Sequence, residues 1–167
     1  MTTNHDPRPF LISRTFNAPR QLVWEAHTDC KHLKHWWGPK GCQIFSCKID
    51  LRPGGMFLYG MRYQNGEMWG KFVYREIVAP ERFVFVVSFS DENAGVTRHP
   101  LSATWPLQTL ARSTFEEKDG KTTVTVQWEP YEATDEERRT FNEGHDSMTM
   151  GFTGTFDQLE AYLPRMG

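Results

Sequence analysis

One segment near the C-terminus constrains the fold of this 167-residue chain more than any other. It begins with Thr134-Asp-Glu-Glu137, a capping box typical of a helix N-terminus, and Pro164 ends it. At helical spacing one face is apolar and aromatic, and the opposite face is charged. We predict one helix over residues 134–163, roughly 43 Å long, whose apolar face the remaining chain must cover. That face consists of Phe141, His145, Met148, Phe152, Phe156, Leu159 and Leu163.

Two glycines, Gly144 and Gly151, lie a heptad apart beside this apolar face. Each costs about 1 kcal/mol relative to alanine inside a helix, so each calls for a physical reason. Either a strand approaches the helix closely at these points, or the missing side chains leave free volume for a ligand. The pattern alone does not separate the two explanations.

Length and composition favour a single domain spanning residues 1–167, with its core at about 8–164. The net charge of -2, with both signs interspersed, offers no basic patch for nucleic acid. No apolar run approaches the length of a membrane span. The cysteines, Cys30, Cys42 and Cys47, are odd in number and lack CxxC spacing, which predicts reduced thiols and a cytoplasmic location.

Upstream of the helix, the hydrophobic pattern predicts a strand, two short helices and then a sheet. Residues 10–16 alternate as a strand does, and helices are expected at 20–27 and 30–37. Turn signals such as Asn65-Gly66 then separate six further runs with period two, which indicates an antiparallel meander. The irregular stretch 90–107 is long for a connection, and we predict that it forms a flap across the sheet edge or the pocket mouth. The six strands are predicted at 42–51, 56–63, 67–78, 82–89, 108–117 and 122–129.

Alternation along a strand also predicts which side chains face the helix. Of the adjacent tryptophans Trp36 and Trp37, we expect one indole in the core and the other at the cavity mouth or on a partner surface. A single bulge would reverse the facing of every residue beyond it. The residues predicted to face inward include Phe57, Tyr59, Met61, Phe72, Tyr74, Glu76, Phe85 and Phe115.

Several short motifs, taken together, resemble the activator-of-heat-shock-ATPase-homologue (AHSA-like) family of the START-like, or SRPBCC, superfamily. The resemblance covers about residues 8–164. It implies an α+β helix-grip fold: a curved antiparallel sheet of about seven strands around a long C-terminal helix, with two short helices after the first strand and often an apolar cavity. Superfamily members include lipid carriers, hormone receptors, polyketide cyclases and a co-chaperone module, so the fold leaves the function open. The motifs include Phe16-Asn-Ala-Pro-Arg20, Trp36-Trp-Gly-Pro39, Asp50-Leu-Arg-Pro-Gly-Gly55 and Pro80-Glu-Arg82.

Two sets of residues suggest chemistry, and for each the simpler structural role is favoured. His27, His32 and His35 could suggest a metal site, but zinc needs three or four close ligands and no further ligand is evident except Cys30. Glu76 and His145, both expected inward among aromatics, could act as an acid–base pair. The favoured alternative is a buried polar group satisfied by a tyrosine. No metal, cofactor or catalytic residue is therefore predicted.

The leading hypothesis is a non-enzymatic protein that binds a small apolar or amphipathic molecule between the sheet and the final helix. A chaperone-linked interaction domain is the first alternative. A cyclase- or hydrolase-like enzyme using Glu76 and His145 is the second, and a homodimer is left open. The predicted ligand-binding residues are Trp37, Phe57, Tyr59, Met61, Phe72, Tyr74, Glu76, Phe85, Phe115, His145, Met148 and Phe152.

Overall fold

The computed structural model describes residues 9–166, which form eight strands, four α-helices and a terminal 3₁₀ helix. None of these described helices combines the length and apolar character that a transbilayer segment requires. The strands are β1 Phe10–Phe16, β2 Gln43–Ile49, β3 Met56–Tyr63, β4 Gly66–Val78, β5 Arg82–Ser90, β6 Val96–Thr97, β7 Thr109–Lys118 and β8 Lys121–Pro130. The helices are α1 Arg20–Thr28, α2 Cys30–Trp36, α3 Asp135–Glu143, α4 His145–Tyr162 and the 3₁₀ helix Leu163–Met166.

The strands form one antiparallel sheet in the order β1-β8-β7-β5-β4-β3-β2, with β6 added beside the end of β5. The short helices α1 and α2 follow the first strand, and α4 packs against the inner face of the sheet. The predicted helix-grip fold is confirmed, and the seven predicted strands are present with shifts of one or two residues at their ends. The flap contains β6, which the hydrophobic pattern did not predict.

The inner face of the sheet follows the predicted alternation except where bulges interrupt it. Phe57, Phe72 and Phe85 are all buried. Between Tyr74 and Glu76 the register of β4 against β5 shifts, which is the signature of a β-bulge. The prediction that Glu76 faces inward is therefore wrong: its carboxylate is exposed and pairs with Arg82 at 3.0 Å.

The C-terminal segment forms two helices, so the prediction of one continuous helix is wrong. The capping box at Thr134 and Glu137 is present and starts α3 as expected. α3 ends at Gly144, whose N–H donates to the carbonyls of Thr140 and Phe141. α4 then continues for 18 residues, about 27 Å at the usual rise. The helix is interrupted at Gly144, where Trp105 of the flap lies against it.

A disulfide between Cys30 and Cys47 joins the start of α2 to β2, with Cα atoms 5.9 Å apart. The prediction of three free thiols is therefore wrong, and Cys42 alone remains reduced among them. The sequence spacing did not indicate the pair because α2 crosses β2 only in the folded protein. Asp29 begins α2 by accepting a hydrogen bond from the Lys31 amide at 2.9 Å.

Candidate functional site

A cavity of about 640 Å³ lies between the inner face of the sheet, α4 and the flap. This volume lies within the range of small-molecule sites. Most of its wall is apolar or aromatic. The sheet and the end of α2 contribute Trp37, Gly38, Pro39, Tyr59, Met61, Gly70, Val87, Ser88, Phe89, Thr109 and Trp128. The flap and the C-terminal helices contribute His99, Trp105, Pro106, Thr140, Glu143, Gly144, Ser147, Met148, Gly151, Phe152 and Thr155.

The wall formed by α4 owes its shape to Gly151. A Cβ atom built on Gly151 would meet no neighbouring atom within 4 Å, so this glycine faces open space. Gly144 has a different role, because a Cβ there would lie 2.9 Å from Cζ3 of Trp105. The free-volume explanation therefore applies to Gly151. Close approach applies to Gly144, although the approaching group is a flap indole and not a strand.

The two adjacent tryptophans at the end of α2 point to different parts of the protein, as predicted. Trp36 is buried in the core, where its indole donates to the Ala26 carbonyl at 3.0 Å. Trp37 lines the cavity and packs edge-on to Tyr59, with ring centroids 5.9 Å apart. Gln158 of α4 holds this turn by donating to the carbonyls of Trp36 at 3.0 Å and Gly38 at 2.7 Å. The position of the Trp37 ring is thus tied to α4.

The flap closes one side of the cavity and is attached to α3 by polar and aromatic contacts. Arg98 forms an ion pair with the buried carboxylate of Glu137. Thr104 accepts a hydrogen bond from Thr140 at 2.8 Å. Of the two positions predicted for residues 90–107, the sheet edge and the pocket mouth, the structure has the flap at the pocket mouth, where His99, Trp105 and Pro106 line the cavity. Burial raises the pKa of Glu137, but hydrogen bonds from Arg98 and the Thr134 amide outweigh it and hold the pKa below its ordinary value.

Three aromatic residues, Trp37, Trp128 and Phe152, line both the cavity and a second void of about 20 Å³ behind it. We refer to these three as the aromatic partition. Trp128 and Phe152 meet at 90° with centroids 5.3 Å apart. The indole nitrogens of Trp37 and Trp128 are buried and make no hydrogen bond within residues 9–166. The boundary between the two spaces thus carries polar atoms inside an apolar wall.

Two titratable groups that line the cavity, Tyr59 and His99, are held in their neutral forms by burial. Tyr59 lies over Gly70, its partner in the β3–β4 register, and burial raises the pKa of Tyr59 to about 12. The nearby Trp37 indole lowers the pKa of Tyr59 and offsets part of this effect. The indole N–H and the Tyr59 hydroxyl nevertheless do not have the geometry of a hydrogen bond. Burial lowers the pKa of His99, whose ring packs against Phe89 at 4.7 Å. None of these groups resembles an activated nucleophile or base at neutral pH.

Residues 17–164 match the family described as Activator of Hsp90 ATPase homolog 1-like protein. The chain belongs to this family. No curated protein matches it.

Several solved structures share the fold of this family member across nearly its whole length. A protein from Nitrosomonas europaea has a TM-score of 0.76 and 22% identity, covering 96% of this chain and 97% of its own. A Mycobacterium smegmatis protein has a TM-score of 0.74 and 26% identity, with coverage of 96% and 93%. The AHSA1 protein from Silicibacter pomeroyi has a TM-score of 0.66 and 17% identity, with coverage of 96% and 100%. These likenesses establish the fold alone.

The structure brings five of the twelve residues predicted to bind ligand to the cavity wall. Three more lie behind the wall around the small void, and two lie deeper in the core. His145 packs between Phe10 and Phe141, at centroid distances of 5.8 and 5.3 Å, outside the cavity lining. Glu76 is on the outer surface, so the predicted pair of Glu76 and His145 does not form. The five are Trp37, Tyr59, Met61, Met148 and Phe152, the three are Phe57, Phe72 and Phe85, and the two are Tyr74 and Phe115.

The lining residues that the sequence did not predict come from the flap, from the C-terminal helices, and from the sheet with the end of α2. On the flap, His99 and Trp105 had no local signal because nothing in the sequence says where a long connection packs. On the helices, a signal was present: Gly144, Ser147 and Gly151 recur at spacings of three and four beside the apolar face. This row of small residues faces the cavity. The large apolar residues that follow it in α4 face the core instead.

The three histidines considered for a metal site have other contacts. His27 donates from Nδ1 to the Val23 carbonyl at 2.8 Å, and burial lowers the pKa of its ring to about 4. His32 is hydrogen-bonded to the Tyr162 hydroxyl at 2.7 Å, and the ring of His35 stacks on the same tyrosine. Within residues 9–166, no group of three potential ligands is arranged to hold a metal ion.

Proposed function

We propose that this family member binds a small hydrophobic or amphipathic molecule in the cavity between the sheet and α4. The single observation that carries the proposal is the space beside Gly151. A glycine inside a helix destabilises it by about 1 kcal/mol, and here the missing side chain faces the cavity and no neighbouring atom. The wall is mostly apolar with a few polar groups, which is the usual character of a small-molecule site.

The attachment of the flap supports the same proposal. Arg98 and Thr104 tie the flap to α3, and Trp105 packs on Phe141 with centroids 5.4 Å apart. These contacts bury apolar surface of the flap, and a flap held at the mouth excludes water from a bound ligand. Local opening of these contacts with α3 can admit a ligand without unfolding the sheet.

The direct test is mass spectrometry of an organic extract of the purified protein, to identify any molecule that co-purifies. A matched pair of variants then locates the site with Nile red, an uncharged fluorescent probe. Gly151→Leu places a side chain in the cavity, so we expect its affinity for the probe to fall by about tenfold or more, equivalent to about 1.4 kcal/mol. Gly154→Leu changes the same helix beside Lys40, outside the cavity lining.

The Gly154→Leu variant should retain the affinity of the unchanged protein. The proposal fails if Nile red binds none of the three proteins and the extract contains no bound molecule. It also fails if both leucine variants bind the probe as tightly as the unchanged protein does.

A chaperone-linked role is the alternative that the family description brings with it. The exposed apolar side chains Leu101 and Met150, 89% and 76% accessible, are the groups that such a partner or a second copy of the chain would cover. Its test is the ATPase rate of Hsp90 with and without this protein, alongside light scattering for a homodimer. A rate increase that Met150→Lys or Leu101→Lys abolishes would favour this alternative.

The enzymatic alternative loses its basis, because Glu76 is on the outer surface. A cytoplasmic location is retained as a proposal, although the Cys30–Cys47 disulfide removes the reduced thiols on which it was based. Thiol labelling of the protein in intact cells tests the location and the disulfide together. In a reducing compartment all three cysteines would be labelled, whereas a stable disulfide leaves Cys42 alone reactive.

A further inference from the structure

One side chain supplies the formal charge of the cavity wall. Among the described lining residues none is lysine or arginine, and the only carboxylate is that of Glu143, the last residue of α3. Burial raises the pKa of Tyr59 and lowers the pKa of His99, so both side chains are neutral at physiological pH. The wall is therefore negative, and it has no cation that could balance an anionic ligand.

The Glu143 carboxylate is not neutralised by a cation of the chain. Within residues 9–166 no side chain forms an ion pair with it. Arg98, the arginine of the flap, pairs with Glu137 instead. Arg139 precedes Glu143 by about one turn of α3 and is exposed, and it too forms no ion pair with Glu143. The carboxylate is thus available to a cation from outside the chain.

Glu143 belongs to the row of residues through which the C-terminal helices face the cavity. Ser147 follows it by about one turn, and Met148 and Gly151 come next in the same row. Glu143 and Ser147 are exposed, whereas Met148 and Gly151 are half-buried. The row therefore changes from polar at the mouth to apolar farther in. This order fits a molecule with a charged head and an apolar body.

An ammonium group beside Glu143 would also meet a hydrogen-bond acceptor and an aromatic face. The hydroxyl of Thr140, which lines the cavity, donates within the chain, to Thr104 at 2.8 Å or to the Glu136 carbonyl at 3.1 Å. What this hydroxyl offers a ligand is therefore a lone pair. The Trp105 ring lies against Gly144, the residue after Glu143, and also lines the cavity. An indole face attracts a cation more strongly than the other aromatic rings do.

We infer that the cavity selects a hydrophobic amine, bound in its ammonium form with the charge beside Glu143 and the apolar body toward Gly151 and the aromatic partition. This inference rests on the proposed function and adds to it the chemical class of the ligand. A neutral molecule of the same shape gains the apolar contacts alone. An anion meets the Glu143 carboxylate, with no cation among the described lining residues to offset the repulsion. Affinity should therefore fall in the order ammonium, neutral molecule, carboxylate.

The test uses three probes that share a naphthalene ring and differ in charge: naphthylethylamine, naphthylethanol and naphthylpropanoate. Dissociation constants are measured by calorimetry at low ionic strength with the full chain. We expect the unchanged protein to bind the ammonium about tenfold more tightly than the alcohol, and the propanoate most weakly. Glu143→Gln should reduce the preference for the ammonium to about threefold or less, and Glu143→Lys should make the propanoate the tighter of the two charged probes. Glu136→Gln is the matched control, because it removes a carboxylate from the same helix outside the cavity lining and should keep the preference.

The salt dependence of the unchanged protein provides a measurement that needs no variant. As sodium chloride is raised to about 1 M, where the Debye length is about 3 Å, the affinity for the ammonium should fall toward that for the alcohol. The affinity for the alcohol should not weaken, because its binding involves no charge.

Equal affinity of the unchanged protein for the ammonium and the alcohol, or tighter binding of the propanoate, overturns the inference while the proposed function stands. An equal loss of the preference in Glu143→Gln and Glu136→Gln also overturns it, since the preference would then come from the overall charge of α3. Failure of all three probes to bind overturns the inference alone if Gly151→Leu still weakens the binding of Nile red. It overturns both proposals if that variant has no effect.

Discussion

The two halves of α4 meet the same sheet in different ways. The C-terminal half is closed: Phe156 and Leu159 are 2% and 0% accessible and pack in the core beside β1, α1 and α2. The N-terminal half is open: Gly151 and Met148 border a cavity of about 640 Å³ under the flap. We refer to these as the closed end and the open end. The same helix thus serves as a core element at one end and as a binding wall at the other.

The difference comes from what is stacked on the sheet at each end. At the closed end, the short helices α1 and α2 contribute large side chains such as Trp24 and Trp36, which fill the space to the helix. At the open end, only the flap covers the sheet, and α4 offers small residues there. The cavity therefore exists because one helix spans a sheet that the two short helices cover only in part.

The largest expected effect sharpens this contrast in stability. Leu159→Ala removes a fully buried side chain at the closed end and should lower the free energy of unfolding by about 3 kcal/mol. Met148→Ala shortens a side chain that already borders free space, so it should lower the free energy of unfolding by less than about 1 kcal/mol. Urea denaturation of both variants measures the difference. Equal losses would show that the two ends are packed alike.

The disulfide joins α2, which covers the closed end, to β2, and it should contribute to the stability of the fold. Cys30 and Cys47 are separated by 17 residues, and closing a loop of this size stabilises a protein by about 3 kcal/mol in the chain-entropy model. We expect the double variant Cys30→Ser with Cys47→Ser to lose about this much, whereas Cys42→Ser loses little. In the double variant, the free energy of binding Nile red at the open end should change less than the free energy of unfolding does. A reducing agent that leaves the unfolding midpoint of the unchanged protein unaltered would contradict the prediction.

Acid should weaken the closed end through His27, whose ring packs against Trp36 and Phe115 at 4.7 and 4.9 Å. Burial lowers its pKa from 6.5 to about 4, so between these values the unfolded chain binds a proton that the folded protein does not. The free energy of unfolding should therefore be greatest above pH 6.5 and fall as the pH drops, by at most about 3 kcal/mol.

The variant His27→Phe keeps a ring at this position and removes the titration. Its unfolding free energy should depend less steeply on pH between 6.5 and 5 than that of the unchanged protein. This window lies above the range in which carboxylates such as Glu137 titrate, so their contribution is separable. Identical slopes for the two proteins would exclude His27 as the cause.

The smallest expected effects come from the two glycines of the open end, and they should have opposite signs. Gly151→Ala adds a methyl group that meets no atom within 4 Å, so helix propensity should stabilise the protein by up to about 1 kcal/mol. Gly144→Ala places its Cβ 2.9 Å from the Trp105 ring, so the flap or the helix must shift and the protein should be destabilised. Thermal unfolding compares them. Stabilisation by both would mean that Trp105 does not constrain the helix junction.

Much of the fold could be predicted because strand alternation and turn formation depend on residues that are close together in the sequence. Strand alternation placed Phe57, Phe72 and Phe85 on the inner face, and turn residues located the strand ends. The same reasoning failed at Glu76, because one bulge in β4 reverses the alternation and the sequence carries no clear sign of it. It also failed at the helix break, because Trp105 reaches Gly144 only in the folded protein.

Part of the candidate site could also be predicted from local patterns. Tyr59 and Met148 were identified because inward facing follows from strand and helix periodicity. His99, Trp105 and Trp128 were missed as lining residues because their role depends on how the flap and β8 come to border one space. The place of Trp128 in the cavity wall and the burial of its indole N–H depend on the whole set of surrounding elements.

The sequence by itself determined the elements of this protein, their order and the apolar face of the sheet, because those follow from backbone geometry and the spacing of side chains. Only the tertiary structure decided which cysteines pair, where the C-terminal helix divides and where space is left unfilled. Free volume is the difference between what the elements enclose and what their side chains occupy. Since that difference depends on contacts between distant parts of the chain, no local pattern contains it.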